Sequence, residues 1–246
     1  DLHISIKQNW AWFKHDKHTD RLCNFLKWVK EQDDVKDLVL LGDIFELWAW
    51  PHDEEPISII DIIKAEENQV IFNIINSIYK ETEINVLYCK GNHDMDVTKN
   101  DINNEFLKLQ FIGKQYDSRP VYAEHGDSHD LFNIPGLGYK RPLGYFMTRL
   151  LTKKDGNNIS FKQVLSTAAD DFFEMIFTEQ TLSQCVFEAV MEKAGVNEKE
   201  EIILPGGSSI TCGAIKEQYK NLYALCEKIY PKEKTSMVIG NFSLEW

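Results

Sequence analysis

The sequence predicts an α/β protein whose functional residues gather beyond the carboxyl ends of its strands. Three observations carry this expectation. Apolar runs of strand length occur at LVLL (38–41), INVLYC (84–89) and PVYAEH (120–125). Helical spacings of apolar residues separate the runs, and each run ends in residues able to bind a ligand. At 246 residues the chain can bury one substantial core, or a main domain with a smaller inserted lobe.

The opening DLHISI reads as the end of a strand, and alternation around Leu2 places Asp1 and His3 on one side of it. Leu22, Phe25, Leu26 and Val29 then recur at helical spacing over 19–32, with Thr19 or Asp20 able to cap the start. VKDLVLLGD follows as a strand that hands Gly42 and Asp43 to a loop. A second helix is expected over 57–80, on an apolar face that includes Ile63, Ile71, Ile74 and Ile78. The strand at 84–89 delivers GNHD at 91–94, an amphipathic segment occupies 101–109, and a further strand ends in HGD at 125–127.

Beyond this the pattern changes. IPGLGYKRPLGYF (134–146) is punctuated by glycine and proline and predicts an irregular loop. Helices are expected over 170–193 and 212–230, interrupted by LPGGSS, before a short strand at SMVIG (236–240). The implied organisation is a main domain at 1–128, a mostly helical insertion or cap at 129–234, and an incomplete return to the main domain at 235–246.

Asp and Glu outnumber Lys and Arg by 39 to 27, a net charge of −12 that argues against a broad nucleic-acid face. Five cysteines without a CxxC pair suggest free thiols, a reducing compartment and hence the cytoplasm. No apolar run reaches the 18 residues of a membrane span.

Asp1, His3, Asp43, Asn92 and His125 supply carboxylate, imidazole and amide donors from four separate segments. Singly, each has an ordinary reading: Asp43 and Asn92 can cap helices, His125 can be a packed histidine and His3 can be exposed. Jointly they suit borderline divalent metals such as Mn, Fe or Zn.

The motifs DLH (1–3), GD (42–43), GNHD (91–94) and HGD (125–127) resemble, in order, those of the calcineurin-like metallophosphoesterases. GDIFELW (42–48) and HGDSHD (125–130) are most similar to the branch that hydrolyses UDP-2,3-diacylglucosamine, although that branch typically carries arginine where this chain has His93. The resemblance implies a β-sandwich flanked by helices and two divalent cations, Mn2+ foremost with Fe2+ or Zn2+ as alternatives. Asp1, His3 and Asp43 would hold one cation and Asp43, Asn92 and His125 the other. His93 would contact the phosphate or protonate the leaving oxygen, with Asp94 orienting it from behind.

The family's closing GHxH motif is here GNFS (240–243), where Asn241 can donate an oxygen but Phe242 cannot ligate. A tract missing after Gly240 and another before Asp1 would explain both ends of the sequence, and this is the expectation. Tyr139, Arg141 and Arg149 belong to the densest cluster of aromatics and cations and are candidate substrate contacts, with a solvated basic segment as the ordinary alternative. The buried-or-cleft choice is likewise open for Phe146, Met147 and the Phe-rich stretch 172–177. The function expected is hydrolysis of a phosphate ester or pyrophosphate, on a phosphorylated small molecule or a nucleotide-linked or lipid-like substrate. A lipid substrate would bring peripheral contact with the inner membrane face. The alternative is a noncatalytic scaffold of the same fold.

Overall fold

In the computed structural model, residues 1–104, 106–118, 120–130, 132–133, 141–164 and 182–220 are described. They form a mixed α/β fold in which a central sheet is flanked by helices and accompanied by a helical insertion. The chain divides into two units, Asp1–Ala49 with Ile57–His125, and Trp50–Pro56 with the residues from Gly126 onward.

In the first unit, the apolar runs become β1 (Asp37–Leu41) and β2 (Asn85–Cys89). They pair in parallel, from Asp37 opposite Asn85 to Leu41 opposite Cys89, and β3 (Gln110–Gly113) adds in parallel to the other side of β2. Helix α1 (His15–Lys30) buries Cys23, Leu26 and Val29, spaced three apart as a helix face requires. Its acidic first turn (Asp16) and basic last turn (Lys27, Lys30) complement the helix dipole. Burial of Ile4, Leu26, Ile71, Phe72, Val86 and Tyr88 makes the core.

The single helix expected over 57–80 is two: α2 (Ile59–Lys64) and α3 (Glu66–Glu81), because Ala65 turns extended at ψ 131°. Asn68 rewards the break. Fully buried, it donates from Nδ2 to the carbonyls of Ser5 (3.0 Å) and Ile62 (2.9 Å), and its Oδ1 lies 2.8 Å from His15 Nε2. Asn68→Ala is therefore expected to cost about 1–3 kcal/mol, since it strands buried backbone acceptors. Urea unfolding should show a lower midpoint at an unchanged slope.

Two further expectations change. The described residues of 101–109 form turns and one isolated bridge, Asn103 to Lys108, because Asn104 Oδ1 accepts from the backbone N–H groups of Phe106 and Leu107 in place of a helical carbonyl. The run at 120–125 does not join the parallel sheet. It becomes β5 (Val121–Glu124), antiparallel to β4 (Gln115–Ser118), since a hairpin partner directly upstream costs less loop entropy than a crossover.

The second unit contains α4 (Leu143–Leu151), α5 (Leu182–Ala194) and α6 (Cys212–Tyr219). A hairpin of β6 (Glu201–Ile203) and β7 (Ser209–Thr211) is the element that the sequence pattern did not suggest. LPGGS (204–208) is its loop, where Gly206 (φ 85°) and Gly207 (φ 77°) adopt the left-handed backbone. Phe146 and Met147 are buried, which makes them core. The stretch 172–177 and the strand expected at 236–240 lie outside the described residues. Described cysteines are all free, and no described helix is long and apolar enough to cross a membrane.

Candidate metal centre

The carboxyl ends of β1 and β2 are locked together, with Gly42 N–H donating to Cys89 O at 2.9 Å. The turn after β1 is bent sharply, Gly42 at φ 79° and Asp43 at φ 49°. A side chain at Gly42 would also meet the His125 ring at 2.5 Å, so glycine is required both for conformation and for space. Similarly, a Cβ on Gly91 would collide with the Asp43 carboxylate. His3, at φ 53°, is the other non-glycine residue with positive φ among the described residues, and such strain commonly clusters at functional sites. The Asp43 carbonyl accepts from Leu2 N–H (2.8 Å) and His3 N–H (2.9 Å), which docks the DLH segment onto the loop.

This backbone brings the expected donors together around Asp43. Its Oδ2 lies 3.2 Å from His125 Nε2 and 3.9 Å from His3 Nε2. His125 Nε2 is also 3.1 Å from Asn92 Oδ1, and its Nδ1 is 3.5 Å from the exposed Asp1 carboxylate. Asp43 Oδ1 accepts from His93 N–H at 2.8 Å. Burial alone would raise the Asp43 carboxyl, but His125, His93 and His3 outweigh it and hold it below its ordinary value.

Among the described residues, two groups of side chains have ligand atoms within 4.8 Å of one another: Asp1, His3 and Asp43, and His3, Glu46 and His93. Glu46 is the residue that sequence reasoning missed. It is buried, with Oε2 2.7 Å from His3 Nδ1 and Oε1 2.8 Å from His93 Nδ1, while Oε1 also accepts from the N–H groups of Trp48 and Ala49. Burial disfavours its charge, but His93 and His3 prevail and hold the carboxyl far below its ordinary value. Burial likewise lowers His93, but Glu46 first, then Asp43 and Asp94, push it above its ordinary value. The signal available in the sequence was an acid three residues after Asp43, in GDIFE.

This geometry corrects the role expected of Asp94. Its carboxylate faces backbone, accepting from Gly91 N–H (2.7 Å), Ile44 N–H (2.8 Å) and Phe45 N–H (3.3 Å). It pins the GNHD turn to the Asp43 loop, and Glu46 takes the position behind His93. The His93 ring is further held by stacking on Trp48, with centroids 4.4 Å apart.

Arg149 also departs from expectation. It is fully buried in the second unit, where its guanidinium donates to Trp50 O, Pro51 O, Glu54 O, Ile203 O and Tyr145 Oη, which leaves no donor for a substrate. Arg141 lies 4.8 Å from the Tyr145 ring centroid in the same unit. Tyr139 and Asn241 lie outside the described residues.

Clustered carboxylate, imidazole and amide donors at the strand ends of an α/β sheet are a donor set suited to divalent cations, consistent with a metal-dependent hydrolase. The chain belongs to the calcineurin-like phosphoesterase family, whose model matches residues 1–173. No curated protein and no solved structure matches the chain.

Proposed function

We infer that the protein hydrolyses a phosphoric ester or pyrophosphate with two divalent cations that Asp43 and the donors around it would hold. The observation that carries this reading is the hub at Asp43, whose buried carboxylate faces His125 Nε2 and His3 Nε2 from a strained left-handed turn. Asp1, His3 and Asp43 would hold one cation, and Asp43, Asn92 and His125 the other, with Asn241 a further oxygen donor. The cations would neutralise phosphate oxygens and lower the pKa of an attacking water.

The chain's own residues do the rest. Glu46 fixes the tautomer of His93 by accepting from its Nδ1, so that Nε2 is the atom turned to substrate. From there His93 contacts the phosphate or passes a proton to the leaving oxygen. Because Glu46 already accepts four hydrogen bonds, we assign it to orientation and leave the ions to Asp43. Glu46→Gln is then expected to lower turnover roughly 10- to 100-fold while metal content changes less. Steady-state kinetics beside elemental analysis of the same preparation checks this.

The donor set favours Mn2+, with Fe2+ or Zn2+ next. GDIFELW and HGDSHD support a nucleotide-linked or lipid-like substrate, while His93 in GNHD fits the wider superfamily. Tyr139 and Arg141 remain the candidates for a second substrate contact. A cytoplasmic site of action, at the inner membrane face for a lipid substrate, is consistent with this reading. The test is hydrolysis of p-nitrophenyl phosphate, bis(p-nitrophenyl) phosphate and pyrophosphate before and after chelation. Chelation should abolish turnover and Mn2+ should restore it. Metal-loaded protein inert towards all three would favour the noncatalytic scaffold, the reading that GNFS in place of GHxH supports.

A further inference from the structure

Three contacts fix the place and direction of the His93 side chain. Its backbone N–H donates to Asp43 Oδ1 at 2.8 Å, and its ring Nδ1 lies 2.8 Å from Glu46 Oε1. A single hydrogen bond to a carboxylate still leaves a planar ring free to tilt about the axis of that bond. A face contact limits the tilt, and Trp48 supplies it, with ring planes 27° apart and centroids 4.4 Å apart.

Trp48 is suited to be the rigid partner. It is 1% exposed and among the largest fully buried side chains. Its backbone N–H donates at 2.8 Å to Glu46 Oε1, the same oxygen that faces His93 Nδ1. One carboxylate oxygen thus ties the backbone that carries the indole to the imidazole that the indole covers. Trp12 and His3 also neighbour the His93 ring, but Trp12 is 41% exposed and tilted by 50° at 5.1 Å, while His3 meets it edge-on at 4.7 Å. A core position tolerates apolar side chains of similar volume, whereas a stacked position requires a flat face.

We propose that Trp48 is a positioning residue that sets the plane of the His93 ring and so aims Nε2 at the leaving oxygen. The proposal rests on the phosphoester reading and deepens it, because esters with basic leaving groups become the ones that depend on Trp48. In the step concerned, water oxygen bonds to phosphorus and the bond from phosphorus to the leaving oxygen breaks. The leaving oxygen takes the proton from His93 Nε2, and the proton that water gives up restores the imidazole. A poorly aimed donor hinders the departure of phenolate, while p-nitrophenolate, far less basic, leaves with little help.

The test compares p-nitrophenyl and phenyl phosphate, together with the corresponding diesters, on wild type, Trp48→Phe and Trp48→Leu loaded with Mn2+. Trp48→Met serves as a second aliphatic variant in case Trp48→Leu does not fold. Without the flat face, kcat for the phenyl ester should fall about 30-fold and for the p-nitrophenyl ester about threefold, at similar KM and metal content. Trp48→Phe, which keeps a face, should hold the ratio of the two rates within about twofold of wild type. Carbon-13 relaxation of the His93 ring in metal-free protein, assigned by its loss in His93→Ala, gives a readout independent of turnover. The ring should be rigid in wild type and Trp48→Phe, with an order parameter near roughly 0.85, and drop below about 0.6 in the aliphatic variants. Equal losses on both esters, or a ring that stays rigid without the indole, overturn the assignment and leave the phosphoester reading in place. If wild type turns over none of the esters, the phosphoester reading falls and the assignment falls with it.

Discussion

Asp43→Asn is expected to abolish hydrolysis, lowering turnover on the order of 10³-fold, and to remove bound metal at the same time. The amide has one acceptor oxygen where the carboxylate has two, and it carries no charge to offset two dications. The fold should survive the change. Asn is among the few residues that tolerate the φ of 49° at this position, and its oxygen can still accept from His93 N–H. Metal loss in a folded variant therefore isolates the electrostatic role of the carboxylate. Elemental analysis, far-ultraviolet circular dichroism and kinetics on one preparation would read all three. Full activity in a folded Asp43→Asn protein would remove Asp43 from the centre of the mechanism.

Arg149→Met should be the most destabilising substitution among those considered, at about 3–5 kcal/mol. All five N–H donors of the guanidinium are used: Nε to Trp50 O (2.8 Å), Nη1 to Tyr145 Oη (2.8 Å) and Ile203 O (2.6 Å), and Nη2 to Pro51 O (2.8 Å) and Glu54 O (2.6 Å). One side chain thus ties the segment Trp50–Pro56 to α4 and to β6. Removing it takes a donor from four carbonyls, three of them on that segment, of which Pro51 O keeps the Glu54 N–H at 3.2 Å. Arg149→Lys keeps the charge but only three donors on a point-like ammonium, and should recover only part of the loss. Denaturant unfolding of the three proteins measures the order. A variant that unfolds like wild type but shows a raised KM would return Arg149 to the substrate role that its sequence neighbourhood suggested.

That reassignment shows where the sequence was legible. The candidate ligands Asp43 and Asn92 could be read because each follows an apolar run that becomes a strand of the parallel sheet, and such runs deliver their next residues to the same edge. Asp1, His3, Asp43, Asn92 and His125 do meet there. Partners within the site were harder to read, because an acid at 46 and an acid at 94 are equally plausible behind His93 until the turn is built. Only the backbone shows that Asp94 is consumed by three N–H groups. Arg149 illustrates the same limit: a cation beside aromatics looks like a binding cluster, while five convergent oxygens from distant segments leave no local pattern. The break at Ala65 and the β4–β5 hairpin were missed for a related reason, since apolar periodicity reports burial and not the direction of the chain.

The most direct test of the metal centre is anomalous diffraction at the manganese edge from crystals grown with Mn2+. Two peaks are expected per chain, one beside Asp1 and His3 and one beside Asn92 and His125, both in contact with the Asp43 carboxylate. An ion seated instead among His3, Glu46 and His93, or no ion at saturating Mn2+, would contradict the assignment of Asp43 as the bridge.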